Sequence, residues 1–206
     1  GNDIQVTLPR LKKSGIKAQF FAVWIPNGKG FSYADKVIKV FYSMLERYPE
    51  DIAFAGSYQD LQRNLEQGSI SAFLGIEGGD AIEGKLENLD YFYSKGVRYM
   101  TITWNNSNRI ADSATDSSKP HNGLSSFGES VIKRMNKLGM IVDVSHADKE
   151  TVNDVLKISE DPIIASHSCC RALRDHDRNL ADDQLKALCN AGGVVGINYH
   201  RTFLTN

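Results

Sequence analysis

An α/β fold on a parallel sheet is the class this sequence predicts. Short apolar runs recur along the chain, they are continuous rather than alternating, and amphipathic helical segments separate them. Strands covered on both faces read as unbroken runs rich in Val, Ile and Phe, as in parallel sheets. Alternating such runs with helices calls for right-handed crossovers. A doubly wound sheet and a barrel share this pattern, and at this level both stay open.

The elements follow in order. The first apolar run is Gln19–Ile25, and the helix Ala34–Tyr48 after it carries Val37, Phe41, Met44, Leu45 and Tyr48 on one stripe. A short periodic segment, Asp60–Glu66, stops at Gly68 and leads into the run Ile70–Ile76. Leu86–Tyr93 does the same through Gly96 into Arg98–Trp104. The stretch Asn105–Asn122, rich in Ser, Asn and Asp, reads as a long functional or flexible loop. Leu124–Leu138 then opens with Ser126 and Glu129 as a capping box and turns Phe127, Val131, Met135 and Leu138 inward. Gly139 announces the run Met140–Val144; Lys149–Ile158, Ile163–Ser166, Ala181–Cys189, Gly192 and Gly193–Asn198 complete the series.

The chain of 206 residues suits a single domain, 1–206, and its 41% hydrophobic content fills a core. With 24 Lys+Arg against 25 Asp+Glu there is no basic block, which excludes a strong nucleic-acid binder. The longest apolar runs, Gln19–Pro26 and Gly192–Asn198, are far short of the roughly 20 residues that span a bilayer. No signal or anchor pattern is present, so the compartment stays unknown. Cys169, Cys170 and Cys189 form neither a disulfide framework nor a C-x-x-C site. No run is followed by a phosphate-binding loop, since Gly75-Ile76-Glu77-Gly78-Gly79 fits neither nucleotide signature.

In α/β folds chemistry gathers at the carboxyl ends of the strands. Glu77 ends the run Ile70–Ile76, Ser145-His146 ends Met140–Val144, and Ser166-His167-Ser168 ends Ile163–Ala165. Alone, each reads more readily as a bland residue: a hydrogen-bonded loop histidine, or an acid favoured near a helix start. All three at one sheet edge make a ligand set for Zn²⁺ or a similar cation. Of the other histidines, His121 and His176 read as solvated, and His200 faces the same rim as a substrate-side or plain surface residue. Arg178 has two readings, a surface partner of Asp175 or Asp182 and a clamp for a substrate carboxylate.

Several motifs resemble the membrane (renal-type) dipeptidases, peptidase family M19. They are Leu8–Gly15 with Gln19–Trp24, Gly75–Gly79, Gly96–Thr103, Gly123–Gly128, Leu138–His146 and Ser166–Ser168, in matching order across nearly the whole chain. The resemblance implies a distorted (β/α)₈ TIM-like barrel of the metal-dependent hydrolase type that cleaves dipeptides at a two-zinc site. It implies Glu77 as the bridging, catalytic carboxylate, His146 and His167 as ligands of the second metal, and Arg178 as the holder of the dipeptide's carboxylate. The implied chemistry is attack by a metal-bridging hydroxide on a polarised peptide carbonyl.

The chain also departs from the family pattern. The family's His-x-Asp pair for the first metal lies upstream of the Leu8 segment, where only Gly1-Asn2-Asp3 partly matches. The eighth-strand Gly-x-x-x-Asp-Phe-Asp motif has no counterpart, and Trp104-Asn105-Asn106 stands where mammalian members have a substrate-contacting histidine. Trp104 and Asn105 are therefore expected at the substrate pocket. The expectation is an incomplete barrel, strands two to seven of eight, that binds one Zn²⁺ or none and turns over little. Alternatives are a non-catalytic scaffold binding one metal or ligand, and a hydrolase of another small amide. Two open sheet edges are expected, which favour a homodimer or a rearrangement of strands.

Overall fold

The computed structural model describes residues 4–205. Asp3, the residue set against the family's first-metal pair, lies outside them, as do Gly1 and Asn2. The chain runs through α1 (Leu8–Ser14), β1 (Ala18–Trp24), α2 (Phe31–Arg47), β2 (Ile52–Phe54), α3 (Tyr58–Glu66) and β3 (Ile70–Glu77). A short 3₁₀ turn, Gly79–Ile82, precedes α4 (Leu86–Ser94), β4 (Val97–Thr101), α5 (Ser126–Leu138), β5 (Ile141–Asp143) and α6 (Lys149–Ile158). The chain continues through β6 (Ile164–Ser168), α7 (Asp182–Asn190), β7 (Val194–Ile197) and α8 (Arg201–Leu204).

All strand pairs are parallel, and the spatial order is β1-β3-β4-β5-β6-β7. A doubly wound sheet reverses its strand order at a switch point. Here, apart from the short β2, neighbours in sequence are neighbours in space. The topology is that of a barrel wall, a curled half-barrel of six strands. β2 pairs only with residues 70–72 of β3, whereas β1 runs along residues 71–77 and β4 joins from residue 74. Among the described residues, β1 at one end of this order pairs only with β3 and β7 at the other only with β6.

Burial follows this arrangement. In β3 nearly every residue is buried, the signature of a strand covered on both faces. In β1 alternate residues are exposed, Phe20 and Trp24 among them, and Val194 and Ile197 of β7 are exposed too. The outer strands thus carry the unbroken apolar sequence of an inner strand without the inner strand's cover. Inside the curl, Phe20 packs on Phe73 and Tyr99 at ring distances of 5.0 and 5.1 Å. Gly75 is required there, since a Cβ would stand 2.1 Å from the buried Tyr99 ring.

Local details differ from the sequence reading. β2 and α1 were not expected as elements; β2 has only three residues, and α1 buries only Leu11, too little for periodicity to register. α2 begins at Phe31 and ends before Tyr48, which is exposed, while Ile38 takes a core position. The cap of α5 is Ser125, whose Oγ accepts from the Gly128 amide at 2.9 Å, and not the expected Ser126. α5 then ends, as expected, at Gly139, whose φ of 72° suits a residue without Cβ. Among the described residues, no helix is long and apolar enough to cross a membrane.

Candidate metal centre and substrate cleft

Parallel strands deliver three side chains to one end of the curl. Glu77 is the last residue of β3, His167 lies near the end of β6, and His146 follows β5 by three residues. His146 has φ = 68°, a left-handed conformation that costs a non-glycine residue of order 1–3 kcal/mol. Such strain persists where the surroundings hold it, and the turn here aims the imidazole at Glu77. Glu77 Oε1 stands 3.2 Å from His146 Nε2 and 3.5 Å from His167 Nε2, and the two Nε2 atoms are 2.9 Å apart. Neighbouring ligands on a tetrahedral ion with bonds of about 2 Å lie roughly 3.3 Å apart. The observed triangle has that scale, and the three residues are the one such metal-ligating group among the described residues.

The electrostatics suit ligation. Burial works against the Glu77 carboxylate, but the adjoining His146 and His167 rings outweigh it and bring the group to about 2. Burial also disfavours the His146 imidazolium, and with the positive charge of Arg178 nearby it outweighs Glu77 and lowers that group to about 4. An ionised carboxylate and a neutral imidazole are the forms that bind a cation. The outer nitrogen of His146 is engaged as well, its Nδ1 lying 3.0 Å from Asn105 Oδ1. An amide oxygen can only accept, so Nδ1 carries the proton and Nε2 offers its lone pair.

Beside the triad opens a cleft of about 610 Å³. His146 and His167 line one part of it, with Asn105, Arg178, His176, His200 and Phe203 around the remainder. Arg178 is only 5% exposed. Asp175 and Asp177 bond instead to Arg171, at 2.9 and 3.2 Å, which overturns the surface-pair reading of Arg178. No carboxylate lies within ion-pair distance of its guanidinium among the described residues; the Phe203 ring stacks below it at 5.6 Å. Burial lowers its pKa to about 10, which leaves it charged at neutral pH.

The remaining sequence candidates fall into place around the cleft. Trp104 packs edge-on against Trp24 at 5.2 Å and beside the His146 ring at 6.3 Å, and it is not among the cleft-lining residues. Asn105 lines the cleft and also holds His146. His176 is half-buried rather than solvated, its Nδ1 accepting the Arg178 amide at 3.0 Å. His121 is half-buried too, with Nε2 2.8 Å from the Asn108 carbonyl. His200 is exposed on the rim and stacks on Phe203 at 4.9 Å.

The loop 105–122 is ordered by its own polar side chains. Asp116 accepts from the amides of Ser107 and Ser118, and buried Asp112 accepts from those of His121 and Gly123. A larger cavity, about 720 Å³, lies against α1 and α2, where Lys12 and Asp51 pair. It lacks convergent catalytic groups.

Sequence reasoning missed Asp143. It is fully buried at the end of β5 and accepts hydrogen bonds from Thr101, Ser145 and Ser166. The signal was present in Val142-Asp143-Val144, where an acid interrupts a run otherwise fit for a covered strand.

The family described as membrane dipeptidase (peptidase family M19) matches residues 1–206. Dipeptidase aclJ of Aspergillus oryzae is 36% identical over 95% of this chain and 49% of its own length. Dipeptidase verJ of Clonostachys rogersoniana is 37% identical over 80% of this chain and 42% of its own. The chain thus spans about half the length of the curated relatives it matches.

Among solved structures, the probable dipeptidase PvdM of Pseudomonas aeruginosa superposes with a TM-score of 0.91 at 26% identity, over 98% of this chain and 55% of that one. A metallopeptidase of Rhodobacter sphaeroides, solved with a phosphinate mimic of the dipeptide L-Ala-D-Ala, shares the fold with a TM-score of 0.87 at 23% identity. That likeness covers 97% of this chain and 66% of the other.

Proposed function

We propose, since the chain belongs to the membrane dipeptidase family (peptidase family M19), that its cleft binds dipeptides for hydrolysis beside an ion held by Glu77, His146 and His167. One observation carries the reading: a carboxylate oxygen and two imidazole nitrogens converge within 3.5 Å at a cleft that also holds a buried guanidinium with no ion-pair partner among the described residues. Nitrogen and oxygen donors on this scale suit Zn²⁺, and one ion per chain is what the described residues would hold. When bound, the ion supplies Lewis acidity at neutral pH.

The protein's own groups supply the rest. Glu77 brings negative charge to the ion, its Oε1 standing within 3.5 Å of both imidazole Nε2 atoms. Arg178 grips the carboxylate of the dipeptide, because a planar guanidinium makes two parallel bonds to it and no carboxylate of the described residues lies within ion-pair distance. The Phe203 ring holds the guanidinium plane from below. Asn105 keeps the His146 lone pair facing inward.

The test combines metal content with turnover. After dialysis against Zn²⁺ the chain should retain one equivalent, and Glu77→Gln should lose most of it. On a dipeptide panel this chain should turn over little, and what hydrolysis it shows should depend on the added metal and fall when the substrate carboxylate is amidated. Retention of Zn²⁺ with no turnover would support the binding-only alternative. Full metal retention by Glu77→Gln would sink the ligand assignment.

A further inference from the structure

Asp143 is a carboxylate with 0% exposure; among the described residues no lysine or arginine lies within ion-pair distance of it, and Arg178 is the cation its charge favours from farther away. A buried carboxylate persists where donors satisfy its lone pairs. Its Oδ1 accepts from the amides of Ser145 and Ser166 at 3.0 and 2.9 Å. Its Oδ2 accepts from the hydroxyls of Thr101 and Ser166 at 2.6 and 2.5 Å. The single hydroxyl proton of Ser166 is therefore committed to Asp143. Toward His167 Nδ1, 2.7 Å away, Ser166 Oγ can then only accept. Nδ1 must carry the ring proton, which leaves the lone pair on Nε2, facing Glu77 and His146.

We propose that Asp143 and Ser166 are positioning residues that lock His167 in the Nδ1–H tautomer and so prepare Nε2 to bind a metal ion. The inference rests on the metal-site reading above. It assigns work to a carboxylate that touches neither ion nor substrate, through a serine that relays its hydrogen-bond direction. Partners of this kind beyond a ligating histidine change metal affinity by about 10–100-fold when removed. The competing explanation is purely architectural, because Thr101, Asp143 and Ser166 also tie the ends of β4, β5 and β6 together.

Three variants and two readouts separate these. Ser166→Ala removes the relay while leaving Asp143 bonded to Thr101 and to both amides. Its Zn²⁺ affinity should fall by about 10–100-fold, and nitrogen-15 spectra of the metal-free chain should show His167 losing its single Nδ1–H signature. Ser166→Thr keeps the hydroxyl and should restore both. Asp143→Asn should lower affinity as well, since an amide group facing Ser166 frees the hydroxyl proton to turn toward His167 Nδ1. An architectural role would leave the tautomer signature of Ser166→Ala intact, and unchanged signature with unchanged affinity overturns the proposal. Failure of the unaltered chain to bind Zn²⁺ would overturn the metal-site reading and this inference together.

Discussion

His146 Nε2 and His167 Nε2 face each other across 2.9 Å, with the outer nitrogen of each ring engaged by Asn105 and Ser166. Two lone pairs at that distance repel unless a proton or a cation lies between them. The arrangement is therefore at its most stable when a cation is shared.

Zn²⁺ is expected to raise the melting temperature of the chain, and a chelator to lower it. A ligand that binds only the folded state at 100 times its dissociation constant adds about 2.7 kcal/mol. Thermal unfolding with and without metal measures this directly. The gain should disappear in Glu77→Gln, His146→Asn and His167→Gln alike.

His146→Asn should separate strain from ligation. Asparagine tolerates the left-handed region better than histidine, where the structure holds φ at 68°. The variant should lose metal binding, yet its metal-free form should unfold at the same temperature as the unaltered chain or a higher one. A clear drop in metal-free stability would mean that the imidazole contributes packing rather than strain.

Arg178→Met should exchange recognition for stability. The guanidinium is buried, Asp143 and Glu77 favour its charge only from beyond ion-pair distance, and an uncharged side chain of similar volume removes a desolvation cost larger than that attraction. Urea unfolding should show a higher midpoint. Binding of simple dipeptides with a free carboxylate should weaken strongly, whereas the C-terminally amidated analogues should bind as before.

Gly75→Ala should be among the most harmful single changes outside the cleft. Its new methyl group meets the buried Tyr99 ring, and overpacking of this kind costs about 1–3 kcal/mol. Paired substitution with Tyr99→Phe should recover little, because the clash is with the ring and not the hydroxyl.

Asp60 gives a pH-dependent case at the start of α3. Its carboxylate accepts from the Gly56 amide, pairs with Arg63 and accepts from Ser57, which together hold its pKa below the ordinary value of 3.8. A group lowered on folding stabilises the folded state above its unfolded pKa and loses that contribution as pH falls through the folded one. Asp60→Ala should cost roughly 1 kcal/mol at neutral pH, in the manner of a lost helix cap. The difference from the unaltered chain should shrink as the pH drops below about 4; a constant difference down to pH 2 would refute the assignment.

How far the sequence could be read depended on how local each feature is. The runs around Phe73 and Met100 were legible because covered strands exclude polar residues for physical reasons that act residue by residue. Glu77, His146 and His167 were legible because they interrupt or follow such runs at their carboxyl ends. The choice between barrel wall and doubly wound sheet was not, since spatial strand order depends on contacts between distant segments. Arg178 was equally opaque: Asp175 and Asp177 are its neighbours in sequence, but the loop turns them toward Arg171. Asp143 passed unnoticed because its neighbours Val142 and Val144 made the strand, and its partners Thr101 and Ser166 come from two other strands.

The order β3-β4-β5-β6 places Glu77 and His167 on strands separated by two others, with His146 delivered from between them. The separation of their ligand atoms is thus set by how tightly four adjacent strands bend. An ion bound by all three would act as a rivet across that bend, and its affinity would measure sheet curvature. Substitutions on the outer, helix-facing side of β4 or β5 that flatten the sheet by fractions of an ångström should then weaken metal binding from a distance, without touching any ligand.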